Sequence, residues 1–286
     1  MPEIPFEIAS SEGLPIRGRL AVSPRSNGRA VVCIPGFKGF ARWGFWPDVV
    51  LRLVRAGYHA VRFDFSHSGI GEDGQSFTET SPFESGTFSQ EADDLRRVLL
   101  ALNGPDAPGS GRIDPRRLGL LAHSRGSVPA LASAATPKLG IRSVALWNPV
   151  ARLMRWDPET RARWRTDGYW EVANARTGQL FRIGTDLLDD AEANGETLDP
   201  ERNAARVEVP VLTVVAADDV SVSPEEGRAI AHAVPQPLSS LTEIPGSGHT
   251  FGATHPFAGT TPALDSACDA TLRHFSGTIP REEGAR

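Results

Sequence analysis

Short apolar runs alternate along this chain with segments whose apolar residues recur at helical spacing, the rhythm of a parallel β-sheet covered by helices. Arg29–Ile34, Tyr58–Phe65, Leu118–Ala122, Ile141–Trp147 and Val209–Ala217 read as buried strands, and Ser240–Ile244 as a further one. Asp48–Ala56, Ser89–Leu102, Glu225–Ala233 and Ala263–Phe275 read as helices. The second of these carries Glu91, Asp93 and Asp94 in its early turns, where acids complement the helix dipole. Phe6–Ser10 and Ile16–Val22, joined around Gly13, predict an opening antiparallel pair. The polar tail after Ser276 is expected to fray. The rhythm breaks between about Val150 and Arg206, a stretch that holds Trp156, Trp164, Tyr169, Trp170 and many arginines.

One junction in this pattern carries chemistry. The run Leu118–Ala122 stops at Ala122-His123-Ser124-Arg125-Gly126, and the small-residue segment Val128–Ala135 follows. A buried strand, a sharp turn with serine at its apex and a helix make a nucleophile elbow. The serine backbone must be strained for its hydroxyl to project, and the residues two before and two after must be small because strand and helix nearly touch. Gly126 satisfies this, and Ala122 exceeds the usual glycine by one methyl.

Partners follow in order. The run Val209–Ala217 delivers Asp218 and Asp219, and the loop Pro245–Phe251 after Ser240–Ile244 presents His249. Asp218 rivals Asp219, but the spacing to Val222 favours Asp219. The chain order Ser, Asp, His differs from those of chymotrypsin and subtilisin and matches that of α/β-hydrolases. Each residue follows a strand, which places all three along one edge of a parallel sheet. Arg29–Ile34 in turn runs into Pro35-Gly36-Phe37-Lys38-Gly39-Phe40, whose glycines let backbone approach a ligand closely.

With these motifs the chain resembles serine hydrolases of the α/β-hydrolase superfamily, in the dienelactone-hydrolase-like and esterase branch, over roughly Phe6 to Phe275. The Pro35–Phe40 turn is similar to the oxyanion loop of feruloyl and cinnamoyl esterases. The resemblance implies a mostly parallel central sheet of about eight strands flanked by helices. It divides the chain into a core at 1–149 and 207–286 and a small cap at 150–206, inserted after the sixth strand. It makes Ser124 the nucleophile, His249 the base and Asp219 the orienting acid, with the Phe37 and Arg125 amides as the oxyanion hole. Lys38, Trp43, Trp164 and Trp170 are then candidates for substrate contact; the cap rings either wall an acyl pocket or anchor the cap to the sheet. Pro35, Ala122 and Arg125 depart from the His, Gly and Gln found in many relatives.

Composition narrows the function classes. A chain of 286 residues, 40% apolar and 23% charged, is long enough for a large core. A net charge of −5 argues against a nucleic-acid-binding surface, and no apolar run approaches the roughly 20 residues that span a bilayer. The start, Met1–Pro5, lacks a leader pattern, and Cys33 and Cys268 read as reduced thiols, so a cytoplasmic protein is expected. Gly69-Ile70-Gly71-Glu72-Asp73-Gly74 matches a dinucleotide fingerprint. However, the polar, turn-like Gln75–Pro82 after it opens no helix, and Glu72 and Asp73 would repel phosphate. His67 reads as a hydrogen-bonded loop residue, His123 as packing and His255 as a weaker base than His249. No histidine spacing suggests a metal, and no cofactor is implied. The expectation is a serine hydrolase of small-molecule carboxylic esters with bulky apolar or aromatic acyl groups. Thioesterase, amidase, peptidase and C–C hydrolase chemistry remain open on the same triad, as does a non-catalytic binding module.

Overall fold

The computed structural model describes residues 3–104, 107–109, 111–174 and 178–279. Strands β1 (Glu3–Ala9) and β2 (Pro15–Ala21) pair antiparallel. Then come β3 (Ala30–Ile34), α1 (Trp46–Arg55), β4 (His59–Asp64), α2 (Thr80–Glu84), α3 (Phe88–Asn103), β5 (Leu118–His123), α4 (Ser127–Ala134) and β6 (Ile141–Trp147). The segment that interrupts the rhythm folds as α5 (Pro158–Asp167), the antiparallel hairpin β7 (Tyr169–Ala173) and β8 (Leu180–Gly184), and the short helices α6 (Asp186–Ala193), α7 (Gly195–Leu198) and α8 (Pro200–Ala204). The chain closes with β9 (Val211–Ala216), α9 (Pro224–Ala233), β10 (Ser239–Ile244) and α10 (Pro262–Thr278).

The central sheet has eight strands in the order β1-β2-β4-β3-β5-β6-β9-β10, parallel from β4 to β10. Every residue of β3, β4, β5 and β9 is buried. The physical reason is that both sheet faces are covered. Val32, Ile34, Leu120 and Leu146 pack under α3, α4 and α9, while Val31, Cys33, Leu121 and Val214 pack under α1 and α10. Strands buried on both sides need continuous apolar runs, which is the pattern the sequence carries. Cys33 and Cys268 are both buried, unpaired thiols within the second of these layers.

A third apolar cluster lies above the C-terminal edge of the sheet and joins the inserted segment to the loop after β4 through Phe40, Phe77, Phe83, Phe88, Trp164 and Phe181. That loop differs from the turn-like expectation: Ile70 bridges Phe77, and α2 begins at Thr80, where Phe83 supplies a buried anchor. The closing helix continues past Ser276 to Thr278, because Phe275 and Ile279 are fully buried against the sheet; the tail from 280 lies outside the described residues. Among the described residues no helix is long and apolar enough to cross a membrane.

Candidate active site

Ser124 stands where β5 ends and a single 3₁₀ turn leads into α4. Its φ of +55° lies in the left-handed region, a cost the surrounding packing must enforce. Gly126 supplies the enforcement, since a Cβ there would sit 2.5 Å from the Pro35 carbonyl oxygen. Gly36 is pressed onto the same turn from the other side. A Cβ on it would lie 2.9 Å from the Ser124 Cβ and 3.5 Å from the Arg125 amide nitrogen. The loop holding Phe37 is therefore docked on the elbow, and only glycine permits the approach. Two groups on β4 fix the far end of that loop: Asp64 accepts from the Ala41 amide at 2.6 Å, and Arg62 donates to the Ala41 carbonyl at 3.1 Å. Burial pushes the Asp64 carboxyl up to about 6 against these partners.

Asp219 and His249 meet above the ends of β9 and β10. His249 Nδ1 lies 2.6 Å from Asp219 Oδ2, while Asp219 Oδ1 accepts from the amides of Ser221 (2.8 Å) and Val222 (3.0 Å). Burial pushes the Asp219 carboxyl up, but the His249 contact and these amides outweigh it and hold the group below the usual carboxylate range. The carboxylate only accepts, so the proton of this contact sits on His249 Nδ1. Asp218 instead uses its backbone amide, which donates to the Ser247 carbonyl at 3.0 Å.

The His249 main chain is clamped as well. Its carbonyl accepts from Asn148 Nδ2 at 2.8 Å and from His123 Nε2 at 2.9 Å. The Asn148 Oδ1 accepts from the Ala216 amide at 2.7 Å, so one side chain, itself at φ +46°, ties the end of β9 to the His249 loop. Burial pushes the His123 imidazole down to about 3, which keeps it neutral with its proton on the nitrogen facing the carbonyl. Sequence reasoning had no signal for Asn148, because the loop after β6 has no recognisable motif; His123 was legible only as packing.

Ser124 and His249 line a two-lobed cavity together with Phe37, Lys38 and Ser221. One lobe, about 630 Å³, is walled by Phe40, Trp43, Phe77 and His255. The other, about 470 Å³, lies beneath the inserted segment against Phe88, Leu153, Trp156 and Trp170. Among the described residues the Ser124 hydroxyl makes no hydrogen bond, which leaves it free to turn toward His249 or toward a ligand. Trp43 and Trp170 thus reach the cavity, and so does Lys38. Trp164 does not: it is 1% exposed, donates Nε1–H to the Ile183 carbonyl at 2.8 Å and packs behind Trp156 and Trp170. It anchors the segment instead of lining a pocket. His255 accepts from the Gly44 amide at 2.9 Å and stacks on Trp43, a wall residue of the first lobe. His67 bonds to Ser66 and Glu12 outside both lobes.

Arg125 makes a contact that the sequence alone did not suggest. Its guanidinium lies 4.6 Å from the Phe37 ring centre and 5.3 Å from that of Phe88, and it pairs with Glu91 of α3. A cation–π contact thus ties the loop after β3 to the elbow. Among the described residues no group of three or more His, Cys, Asp or Glu side chains could hold a metal ion.

Comparisons with known proteins agree with the fold. Residues 31–262 match the model of the alpha/beta hydrolase family. Among solved structures, a hydrolase of unassigned activity from Agrobacterium vitis S4 is similar at a TM-score of 0.74 and 16% identity, covering 96% of this chain and 100% of that one. Est1E from Butyrivibrio proteoclasticus, with ferulic acid bound, is similar at 0.68 and 18%, covering 95% and 99%. The thermostable carboxylesterase EstE1, from a metagenomic library, is similar at 0.67 and 17%, covering 98% and 90%. No curated protein matches the sequence. The family match spans most of the chain and includes the strands and loops that carry Ser124, Asp219 and His249, so the chain belongs to the alpha/beta hydrolase family.

Proposed function

We propose that this protein is a serine hydrolase of carboxylic esters, with Ser124, His249 and Asp219 as its triad. The observation that carries the reading is the Asp219–His249 contact at 2.6 Å, set beside a serine held at φ +55° where two lobes meet. In the reaction the Ser124 Oγ forms a bond to the acyl carbon while His249 Nε2 takes the hydroxyl proton. The carbonyl electron pair moves onto oxygen, where the Phe37 and Arg125 amides stabilise it. Collapse of this intermediate breaks the ester C–O bond, and His249 passes its proton to the leaving alcohol. Water then attacks the acyl-enzyme, gives its proton to His249 and restores Ser124.

Residues 150–206 act in this reading as a cap over the second lobe. Trp156 and Trp170 favour flat or bulky apolar groups there, since burial stabilises by about 25 cal/mol per Å² of apolar surface. The ferulic acid held by one similar structure supports an aromatic acyl group. The test is covalent labelling with a fluorophosphonate followed by a panel of acetyl, medium-chain and aryl esters. Single labelling at Ser124 and higher kcat/KM for the larger acyl groups are expected. Labelling at another residue, or turnover that needs an added metal, would remove the proposal.

A further inference from the structure

The walls of the two-lobed cavity carry positive charge only. Among the described residues Lys38, Arg125, Arg152 and Arg155 line it, and no Asp or Glu does. Over the whole chain the balance is the reverse, with 35 acids against 30 bases. Two of these cations are neutralised from behind the wall: Arg125 by Glu91, and Arg155 by Glu226 at 2.9 Å. Those pairs hold α3 and α9 to the site and need no ligand.

The other two cations have no such partner. Arg152 is exposed between the buried Ala151 and Leu153, lines the second lobe and makes no ion pair or hydrogen bond with a described residue. Lys38 is half-buried at the junction of the lobes, beside Phe37, at φ +57°. Its ammonium donates to the Ala173 carbonyl at 3.0 Å and lies 5.6 Å from the Phe37 ring centre, but no described carboxylate pairs with it. Burial without a counter-charge pushes it below its ordinary range. An ammonium has three N–H donors, and the carbonyl takes one. A cation held partly out of water without an anion is costly, and the cost falls when a ligand brings the missing charge.

We infer that the natural substrate carries a carboxylate on the portion seated in the second lobe, and that Arg152 and Lys38 are its counter-ions. This rests on the hydrolase reading and specifies the substrate class within it. Trp156, Trp170 and Leu153 take the apolar body of that portion, and the two cations take its charged end. Arg152 and Lys38 are then specificity residues that act on binding and leave the bond-breaking steps to the triad.

The test uses two matched pairs of esters. In the acyl pair, mono-4-nitrophenyl adipate is compared with its methyl-capped diester. In the alcohol pair, the butyrate of 4-hydroxybenzoate is compared with the butyrate of its methyl ester. In the pair whose varied portion enters the second lobe, the anionic member should exceed its neutral partner about tenfold in kcat/KM, the size of one charge-assisted hydrogen bond. Added salt should shrink that ratio. Arg152→Gln and Lys38→Gln should each bring it toward unity, and Arg152→Lys should restore part of it. Neutral partners that equal or beat the anions in both pairs would overturn the inference, as would a ratio that survives both Gln variants. If the neutral esters are turned over in that case, the hydrolase reading stands and only the charge preference is lost. If no ester of either charge is turned over and Ser124 resists the fluorophosphonate, both fall together.

Discussion

The central sheet and the inserted segment hold themselves together by different means. In β4, β5 and β9 every residue is buried, and the side chains of both faces are locked between helix layers. In the inserted segment α5 buries a single residue, Trp164, and β7 buries only Val172. Its three indoles, Trp156, Trp164 and Trp170, meet with ring centres 5.1 to 5.6 Å apart. Redundant packing makes the sheet a rigid mount for Ser124, Asp219 and His249. The buried side chains of the segment belong largely to the third apolar cluster, apart from the two layers that cover the sheet, so its residues can change without disturbing the mount. Under the proposed function this becomes a division of labour, with the sheet edge carrying the chemistry and the segment selecting what undergoes it.

The sharpest way to break this comparison is at the elbow. Ser124→Ala should lower kcat on the order of 10⁶-fold with no change in melting temperature, and fluorophosphonate labelling should disappear. Undiminished turnover would mean that the chemistry lies elsewhere. Asp219→Asn should cost on the order of 10⁴-fold, because the amide no longer fixes the base's tautomer, while Asp218→Asn should cost little. The opposite ranking would move the acid by one residue.

Two tryptophans a few ångströms apart sharpen the contrast within the segment. Trp164→Ala should destabilise by about 3–5 kcal/mol, the range for emptying a large buried site, and should reduce turnover of acetyl and aryl esters together. Trp170→Ala should leave the melting temperature near that of the parent and remove an aryl preference of roughly tenfold. Equal losses of stability in both variants would make Trp170 an anchor too. Asn148→Ala should fall between mount and chemistry. The freed Ala216 amide costs about 1–3 kcal/mol in stability, the His249 carbonyl keeps His123 as its donor, and kcat should drop with little change in KM.

The smallest effect concerns pH. Because burial holds His123 neutral down to about 3, the unfolded chain takes up a proton near the ordinary imidazole value of 6.5 that the folded chain refuses. This group's contribution is therefore constant above pH 6.5 and turns against the folded state as pH falls from 6.5 toward 3, by up to ~1.4 kcal/mol per pH unit. His123→Gln keeps a donor for the His249 carbonyl but does not titrate. The stability gap between parent and variant, read from melts at pH 8, 6 and 5, should move in the variant's favour only below 6.5. A gap independent of pH would mean that His123 is protonated in the fold.

The sheet, and the edge along which Ser124, Asp219 and His249 lie, were legible in the sequence for one physical reason. Strands covered on both faces must be continuously apolar, so Leu118–Ala122 and Val211–Ala216 stand out, and the residues at their ends are placed by the same signal. The hairpin β7–β8 was not foreseen, since Tyr169–Ala173 and Leu180–Gly184 are only partly buried and their pairing depends on contacts with α2 and Trp164. The separation of Trp164 from Trp170 was equally hidden, because both sit in the same polar stretch and only tertiary packing tells them apart. Asn148, Glu91 and Asp64 act through single hydrogen bonds or ion pairs across long chain separations, for which no local pattern exists.

The two thiols packed between α1, α10 and the sheet also have a practical use. Burial pushes both Cys33 and Cys268 up to about 12, so neither forms an appreciable thiolate at neutral pH while the layer is closed. They sit on β3 and α10, two elements from opposite ends of the chain, and both are buried in the same layer. Alkylation by iodoacetamide then proceeds only as fast as the molecule unfolds, and the native protein carries its own unlabelled clock for that event.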